Sequence, residues 1–253
     1  MAERGATERI AGLIRDAARV VVLTGAGIST ESGIPDFRGP NGIWTKDPKA
    51  ERLSTLSTYM SDRKVRVTAW RTRLDHPAWK ARPARGHHAL VELERKGRLD
   101  TLVTQNIDGL HAAAGTSPEV LVEIHGTMRE VVCMACGDRA PMQTALERVR
   151  AGEDDPPCRT CGGILKSATI SFGQSLDPAH VRRSQRAAAG CDVFIAVGTS
   201  LQVYPVAHLP QIALDSGAKV VVVNGEPTPF DDAADAVLGD RIGDVLPAIV
   251  ESV

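Results

Sequence analysis

The run VVVLTGAGISTESGIPDFRG, residues 20–39, decides the fold. Val20-Val21-Val22-Leu23 is a continuous apolar run of strand length, the pattern of a buried strand. Gly25 and Gly27 follow at once. They remove side chains where the backbone must turn sharply and where a ligand can come close. In a doubly wound sheet, the loop after the first strand is where a dinucleotide pyrophosphate binds. The usual spacing is G-x-G-x-x-G, and here Thr30 stands where the third glycine belongs. A glycine turn after a strand serves equally as plain structure, so two glycines do not choose between the readings. The rest of the run does more. Ser32-Gly33-Ile34-Pro35 continues as loop instead of opening a first helix. Asp36, Phe37 and Arg38 then set an acid, a ring and a cation side by side.

Outward from this stretch, the other strands repeat the theme. Residues 6–18 carry Ile10, Leu13, Ile14 and Ala17 at helical spacing. Residues 41–85 are polar and basic, with Trp44, Trp70 and Trp79, and read as short helices and loops inserted after the first strand. An insert of that length is usually functional. Gly86 to Lys96 reads as a helix with Ala89, Leu90 and Leu93 inward and Gly97 as its stop. Strands are expected at Leu99–Val103, Val120–Ile124, Asp192–Val197 and Lys219–Val223. They end in Thr104-Gln105-Asn106-Ile107-Asp108-Gly109-Leu110-His111, in His125-Gly126, in Gly198-Thr199-Ser200 and in Asn224-Gly225-Glu226. Asp177-Pro178 is a helix start, with Asp as cap and Pro in the first turn. Tyr204 to Ser216 and Gly243 to Val250 read as further helices. The expected fold is α/β: a Rossmann-like, mostly parallel sheet with helices on both faces, plus a small zinc-ribbon and helical domain. Ligands of such sheets collect beyond the carboxyl ends of the strands, so Gly25, Asn106 and His125 are expected on one edge.

The bulk numbers exclude several classes. A chain of 253 residues fills one large domain, or a large domain with a small attachment. Its net charge of −1 gives no global case for nucleic acid or an anionic membrane. The Lys and Arg concentrated from Arg63 to Arg98 read as a solvated basic face. The N-terminus carries Glu3, Glu8 and Asp16 with no uninterrupted apolar core, unlike a signal or transit peptide, and a cytoplasmic protein is expected. Five cysteines, an odd number, argue against a disulfide framework.

Four of those cysteines are paired by spacing: Cys133-x-x-Cys136 and Cys158-x-x-Cys161, each pair followed by glycine. Four thiolates suit one closed tetrahedral zinc ion, against the alternatives of a redox pair or a nucleic-acid ribbon. Metal binding would supply folding energy to a segment too short for its own core. Cys191 is read as a small buried hydrophobe. His125, alone, reads as a structural histidine; beside a nucleotide loop it reads as a general base near neutral pH. His111 is assigned to packing or capping below the loop, and His87 and His88 are given no chemistry.

The glycine run, TQNIDGLH, the His-Gly pair and the paired cysteines together resemble the sirtuin family of NAD-dependent protein deacylases. The likeness extends over roughly Ala17 to Pro247, with six motifs in the family order. It implies NAD as cosubstrate, one structural zinc, and acyl-lysine proteins or peptides as partners, with no direct nucleic acid and no membrane. It implies that His125 deprotonates an NAD ribose hydroxyl and that Asn106 acts beside it. Nicotinamide, free lysine and acyl-ADP-ribose are the implied products. For NAD it implies Gly25, Ala26, Gly27, Ser29, Asp36, Phe37, Arg38 and Trp44 on the first loop. Gln105, Asn106, Ile107 and Asp108 are implied around the ribose and nicotinamide. Gly198, Thr199, Ser200, Asn224, Gly225, Glu226 and Ile242 are implied toward the phosphates and adenosine. The substrate strand is expected between Ser171-Phe172-Gly173 and a segment containing Val203, a form of β-augmentation. On this pattern residues 1–32, 86–126 and 170–253 form the NAD-binding domain, and 33–85 with 127–169 the small domain. Two departures stand out. Gln174 replaces the glutamate usual after Phe-Gly, and Ser167-Ala168 replaces the usual proline. Relatives that remove succinyl or malonyl groups carry Tyr-x-x-Arg where this chain has Trp70-Arg71-Thr72-Arg73, so neutral acyl groups are favoured. The alternatives are mono-ADP-ribosyl transfer and a non-catalytic NAD-sensing scaffold.

Overall fold

Alternation along one strand sets the layers of the molecule, a computed structural model that describes residues 2–36, 39, 42, 46 and 55–253. In β1 (Val20–Thr24), Val20 and Val22 face one apolar cluster while Val21 and Leu23 face another. All four are fully buried, which explains the unbroken apolar run: a central strand covered on both sides has no polar face. Each such side chain contributes on the order of 1.5–3 kcal/mol.

Helices cover both faces. α1 (Ala2–Asp16) presents Ile10 and Ile14, one helical turn apart, to the first cluster. Against the same cluster lies α4 (Arg85–Arg95), which follows the two short helices α2 (Leu56–Ser61) and α3 (Arg63–Leu74). β2 (Leu99–Thr104) leads to the short α5 (Leu110–Ala114) and β3 (Leu121–Glu123). The ribbon follows: β4 (Gly126–Cys133), β5 (Arg139–Pro141), α6 (Met142–Arg150) and β6 (Leu165–Thr169). The chain then returns through α7 (Pro178–Gly190), β7 (Val193–Val197), α8 (Leu209–Asp215), β8 (Lys219–Val223), β9 (Ala236–Leu238) and α9 (Ile242–Glu251). α7 and α8 cover the second face with Ala188, Leu209 and Ala213, while α9 joins α1 and α4 on the first.

The large sheet runs β3-β2-β1-β7-β8-β9, with every pair parallel. Numbered within that sheet, the order is 3-2-1-4-5-6, the dinucleotide-fold order, whose direction of winding reverses between β1 and β7. A second sheet, β5-β4-β6, is antiparallel. Its core gathers Trp70 from α3, Met142 and Leu146 from α6, and Val131 and Leu165 from the strands. The inserted helices and the ribbon therefore share one small apolar centre, tied further by the Arg66–Asp155 ion pair at 2.9 Å.

Four expectations need correction. Ala26–Ser32 is a 3-10 helix, not open loop. Tyr204–Ser216 is not one helix: a 3-10 turn at Val206–His208 precedes α8, with Pro210 in its first turn. β3 spans only Leu121–Glu123 and is shorter than expected. β9 was not expected at all.

Candidate active site

The parallel sheet aims the carboxyl ends of β1, β2 and β7 into one cavity of about 1410 Å³. Gly25, Asn106 and His125 all line it, as their places at strand ends required. The volume exceeds the roughly 300–1,000 Å³ usual for one small ligand, which suits a dinucleotide and a peptide segment together.

Gly25 and Gly27 have a reason the sequence did not show. A Cβ on Gly25 would lie 2.6 Å from the Gly198 carbonyl oxygen, and one on Gly27 would lie 2.6 Å from the Gly198 Cα. Gly27 N donates to Gly198 O at 2.9 Å. The glycines let the β1 and β7 loops touch at the point where the winding reverses. Close approach by backbone, rather than by a ligand, is what excludes side chains there. Ala26, Ser29 and Asp36 line the cavity beyond this contact. Phe37, Arg38 and Trp44 lie outside the described residues.

His125 has a fixed tautomer. Its Nδ1 is 3.1 Å from the Gln105 carbonyl oxygen. A carbonyl only accepts, so Nδ1 carries the proton and Nε2 keeps its lone pair. Burial lowers the His125 pKa below 6.5, opposed by that hydrogen bond. The imidazole is therefore neutral and basic at Nε2 at pH 7. The deprotonated fraction falls as pH drops through a pKa under 6.5, so the acid limb of kcat/KM is expected below pH 6.5. A pH–rate profile with its acid limb above 7 contradicts the assignment.

Asn106 is held as firmly. Nδ2 donates to Gly25 O at 3.1 Å and to Ser29 Oγ at 3.2 Å, which leaves Oδ1 as the acceptor available to a hydroxyl or a water. Ser29 Oγ in turn donates to Asp108 Oδ2 at 2.7 Å, and Asp108 Oδ1 accepts from Leu110 N. Gln105 Nε2 donates to Thr199 Oγ1 at 2.9 Å and so links the β2 end to the β7 loop.

Next to these groups sits a pair of histidines, His87 and His111, of which the sequence reading gave only His111 a place. His87 Nδ1 accepts from Ala84 N, so Nε2 carries the proton and lies 3.5 Å from Ser29 Oγ. Burial drives the His87 pKa down to about 4. The His111 ring stands 4.8 Å away, with its Nε2 2.9 Å from Thr24 Oγ1. His111 fulfils the expected packing role. His87 is fully buried on an otherwise apolar helix face. Helical spacing puts it on the face of Leu90 and Val91, whereas His88 is exposed.

Ile107, Ser200, Asn224 and Glu226 also line the cavity. Ile242, at the start of α9, does not: it packs near Gly86 in the sheet core. Gly225 is likewise absent from the lining. Ser171, Phe172 and Gly173 line the same cavity as Val203 and Tyr204. Ile170 N donates to His125 O at 2.8 Å, tying this segment to the loop after β3. Gln174 Oε1 accepts from Ser171 N, a turn contact that a glutamate oxygen would make equally well.

At the distal end of the ribbon, the sulfurs of Cys133, Cys136, Cys158 and Cys161 all lie within 4.8 Å of one another. Cys133–Cys161 is 3.5 Å and Cys136–Cys158 is 3.8 Å. Tetrahedral zinc with Zn–S bonds of about 2.3 Å sets its ligands roughly 3.8 Å apart, so the cluster fits the ion. Gly137 and Gly162 have φ of 76° and 74°, the left-handed turn that follows each pair. No disulfide joins any of these cysteines.

Taken with the strand order, this geometry defines a dinucleotide-binding α/β protein with a cysteine-built zinc module. Comparison with known proteins narrows the class. The Sir2 family profile matches residues 25–205, and the chain belongs to that family. It is 51% identical over 231 residues to the NAD-dependent protein deacetylase 2 of Streptomyces coelicolor, covering 91% of this chain and 96% of the other. It is 41% identical over 241 residues to the NAD-dependent protein deacetylase of Rhodopseudomonas palustris, covering 94% of each. Among solved structures, a complex described as Sir2-p53 peptide-NAD+ superposes with a TM-score of 0.86 at 32% identity, over 95% of each chain.

Proposed function

We infer that the protein is an NAD-dependent protein lysine deacetylase that releases nicotinamide and yields O-acetyl-ADP-ribose and free lysine. The observation that carries this is the pairing of a neutral, Nε2-basic His125 with the Asn106–Ser29–Asp108 chain at one crevice. The deacetylase relatives and the peptide-bound and NAD-bound family structures support it.

NAD supplies the electrophilic sugar carbon and its nicotinamide leaving group. The loops at Gly25–Gly27, Gly198–Ser200 and Asn224–Glu226 would hold it. His125 Nε2 takes a proton from a ribose hydroxyl, and the Gln105 carbonyl keeps the imidazole in the required tautomer. Asn106 Oδ1 orients a hydroxyl or water. Asp108 and Ser29 hold Asn106 in place. The acyl-lysine lies between the 171–173 segment and Val203, against the first of the two domains proposed: residues 1–32, 86–126 and 170–253 as the NAD-binding unit, with 33–85 and 127–169 as the small one. Positioning of this kind is worth several kcal/mol of barrier. Among the described residues no helix is long and apolar enough to cross a membrane. The reading includes a cytoplasmic setting, where thiolates stay reduced for zinc.

Incubating an acetyl-lysine peptide with NAD tests it. One nicotinamide per deacetylated peptide is expected. Labelled protein with unchanged peptide would mark ADP-ribosyl transfer instead, and no turnover would mark a scaffold.

The acyl group is proposed to be neutral. Trp70 is wholly buried and does not reach the cavity. It therefore offers no donor to an acyl carboxylate. Arg73 favours a second reading. It lines the cavity, its guanidinium is 5.6 Å from the centroid of the Trp70 ring, and among the described residues it has no carboxylate partner. A succinyl chain could use that charge. Rates on acetyl, propionyl and succinyl forms of one peptide decide: acetyl and propionyl are expected ahead, and succinyl ahead of both reverses the assignment.

A further inference from the structure

A second recess, of about 540 Å³, lies where α7 meets the loop before β1. Four arginines line it: Arg182, Arg183 and Arg186 from α7, and Arg19 from the loop. Arg182 and Arg186 are one helical turn apart, about 6 Å along the axis, and so share a face. Arg19 lies against Gly190, where a Cβ would come within 3.3 Å of its Nη1. Among the described residues the only carboxylate in the lining is Asp100, and none of the four arginines has an ion pair. Arg183 donates to the main-chain oxygens of Leu121 and Glu119, which uses its donors without cancelling its charge. Arg19, Arg182 and Arg186 are exposed. Helix α7, PAHVRRSQRAAAG, contains three arginines and no acid. In a chain of net charge −1 this is a local concentration.

The recess runs along α7, from Ala179 near the start of the helix to Gly190 at its end, beside Arg19 and Asp100 at the amino ends of β1 and β2. Arg182 lines both the recess and the substrate cleft. Phe172, Gly173, Leu176 and Val181 line the cavity with it. A stretch of substrate that followed α7 away from the cleft would meet Arg182 and then Arg186.

We propose that the arginine recess is an exosite for an acidic stretch flanking the modified lysine of the protein substrate. The proposal rests on the deacetylase reading. Guanidinium groups in this arrangement match carboxylates in bidentate geometry. The pairs are exposed, so the effect falls on KM and weakens with salt. The absence of an overall basic excess favours an acidic polypeptide over a nucleic-acid backbone.

Three acetyl-lysine peptides of equal length test it: one with neutral flanks, one with four glutamates before the lysine and one with four after. At low salt, one acidic peptide is expected to show a KM about 3- to 10-fold below the neutral one, with kcat unchanged. Arg19→Gln with Arg186→Gln should abolish that preference while turnover of the neutral peptide and the melting temperature stay as in the wild type. Arg186→Gln alone should reduce it. Equal KM for all three peptides, or a preference that survives the double substitution, overturns the proposal. So does equal displacement of the acidic peptide by a single-stranded oligonucleotide, which would mark a nucleic-acid site. If no acetylated peptide is turned over, the deacetylase reading fails. Anisotropy of labelled acidic and neutral peptides then reads the exosite directly, with tighter acidic binding by the wild type alone as the expected result and equal binding as the contradiction.

Discussion

His125→Ala is expected to lower NAD-dependent deacetylation by at least ~10²-fold while leaving the fold intact. The imidazole makes one hydrogen bond to the rest of the protein, from Nδ1 to the Gln105 carbonyl. It is only half-buried at a strand end. Its loss removes no core volume, so the melting temperature should move little. Among the described residues its Nε2 has no hydrogen-bond partner, and the proposal assigns that nitrogen to the reacting hydroxyl. The effect should therefore fall on kcat more than on NAD affinity, which the proposal assigns to the β1, β7 and β8 loops. Single-turnover rates and NAD binding on the same variant separate the two. Near-normal turnover would remove His125 from the chemistry; lost NAD binding with an altered melting curve would make its role structural.

Loss of zinc is expected to have the larger effect on stability. Among the described residues the small core holds eight that are fully or nearly buried, and two of them, Cys133 and Cys158, belong to the four-cysteine cluster. Too little apolar surface remains to order the ribbon alone. Structural zinc contributes about 10–16 kcal/mol of binding free energy in small fingers at neutral pH. Even partial loss of several kcal/mol would lower the melting temperature by roughly 10 °C in a chain of this size. Chelation or Cys161→Ser is therefore expected to depress melting and to raise amide exchange first in residues 126–169. The metal content should be one zinc per chain. An unchanged melting curve in metal-free protein contradicts the assignment. Activity should fall with the ribbon, because Ile170, next to β6, is hydrogen-bonded to His125.

Much of this was legible from residues because the physics was local. Unbroken valine runs read as parallel strands, since both faces are covered by helices. The paired cysteines and their glycines read as a metal site, since coordination chemistry fixes their spacing. What escaped depended on distant partners. Gly25 and Gly27 look like ligand glycines until Gly198 is seen against them. His87 is given no chemistry until its Nε2 is found 3.5 Å from Ser29 Oγ. β9 has three residues, Ala236-Val237-Leu238, with only Leu238 buried, and an edge strand of that length leaves no periodic signal. Ala26–Ser32 contains Ser, Thr and Gly, which favour turns over regular helices, and the chain takes the tighter 3-10 form. Ile242 was assigned to the adenine through its backbone, and its partly buried side chain packs beside Gly86.

A crystal structure of the protein with NAD tests the account most directly. It should show the phosphates at the β1–β7 crossover, beside Gly25–Gly27 and Gly198–Ser200. A nicotinamide-ribose hydroxyl should lie within about 2.6–3.2 Å of His125 Nε2. A dinucleotide bound elsewhere, or a His125 ring with Nε2 facing away from the sugar, would contradict it.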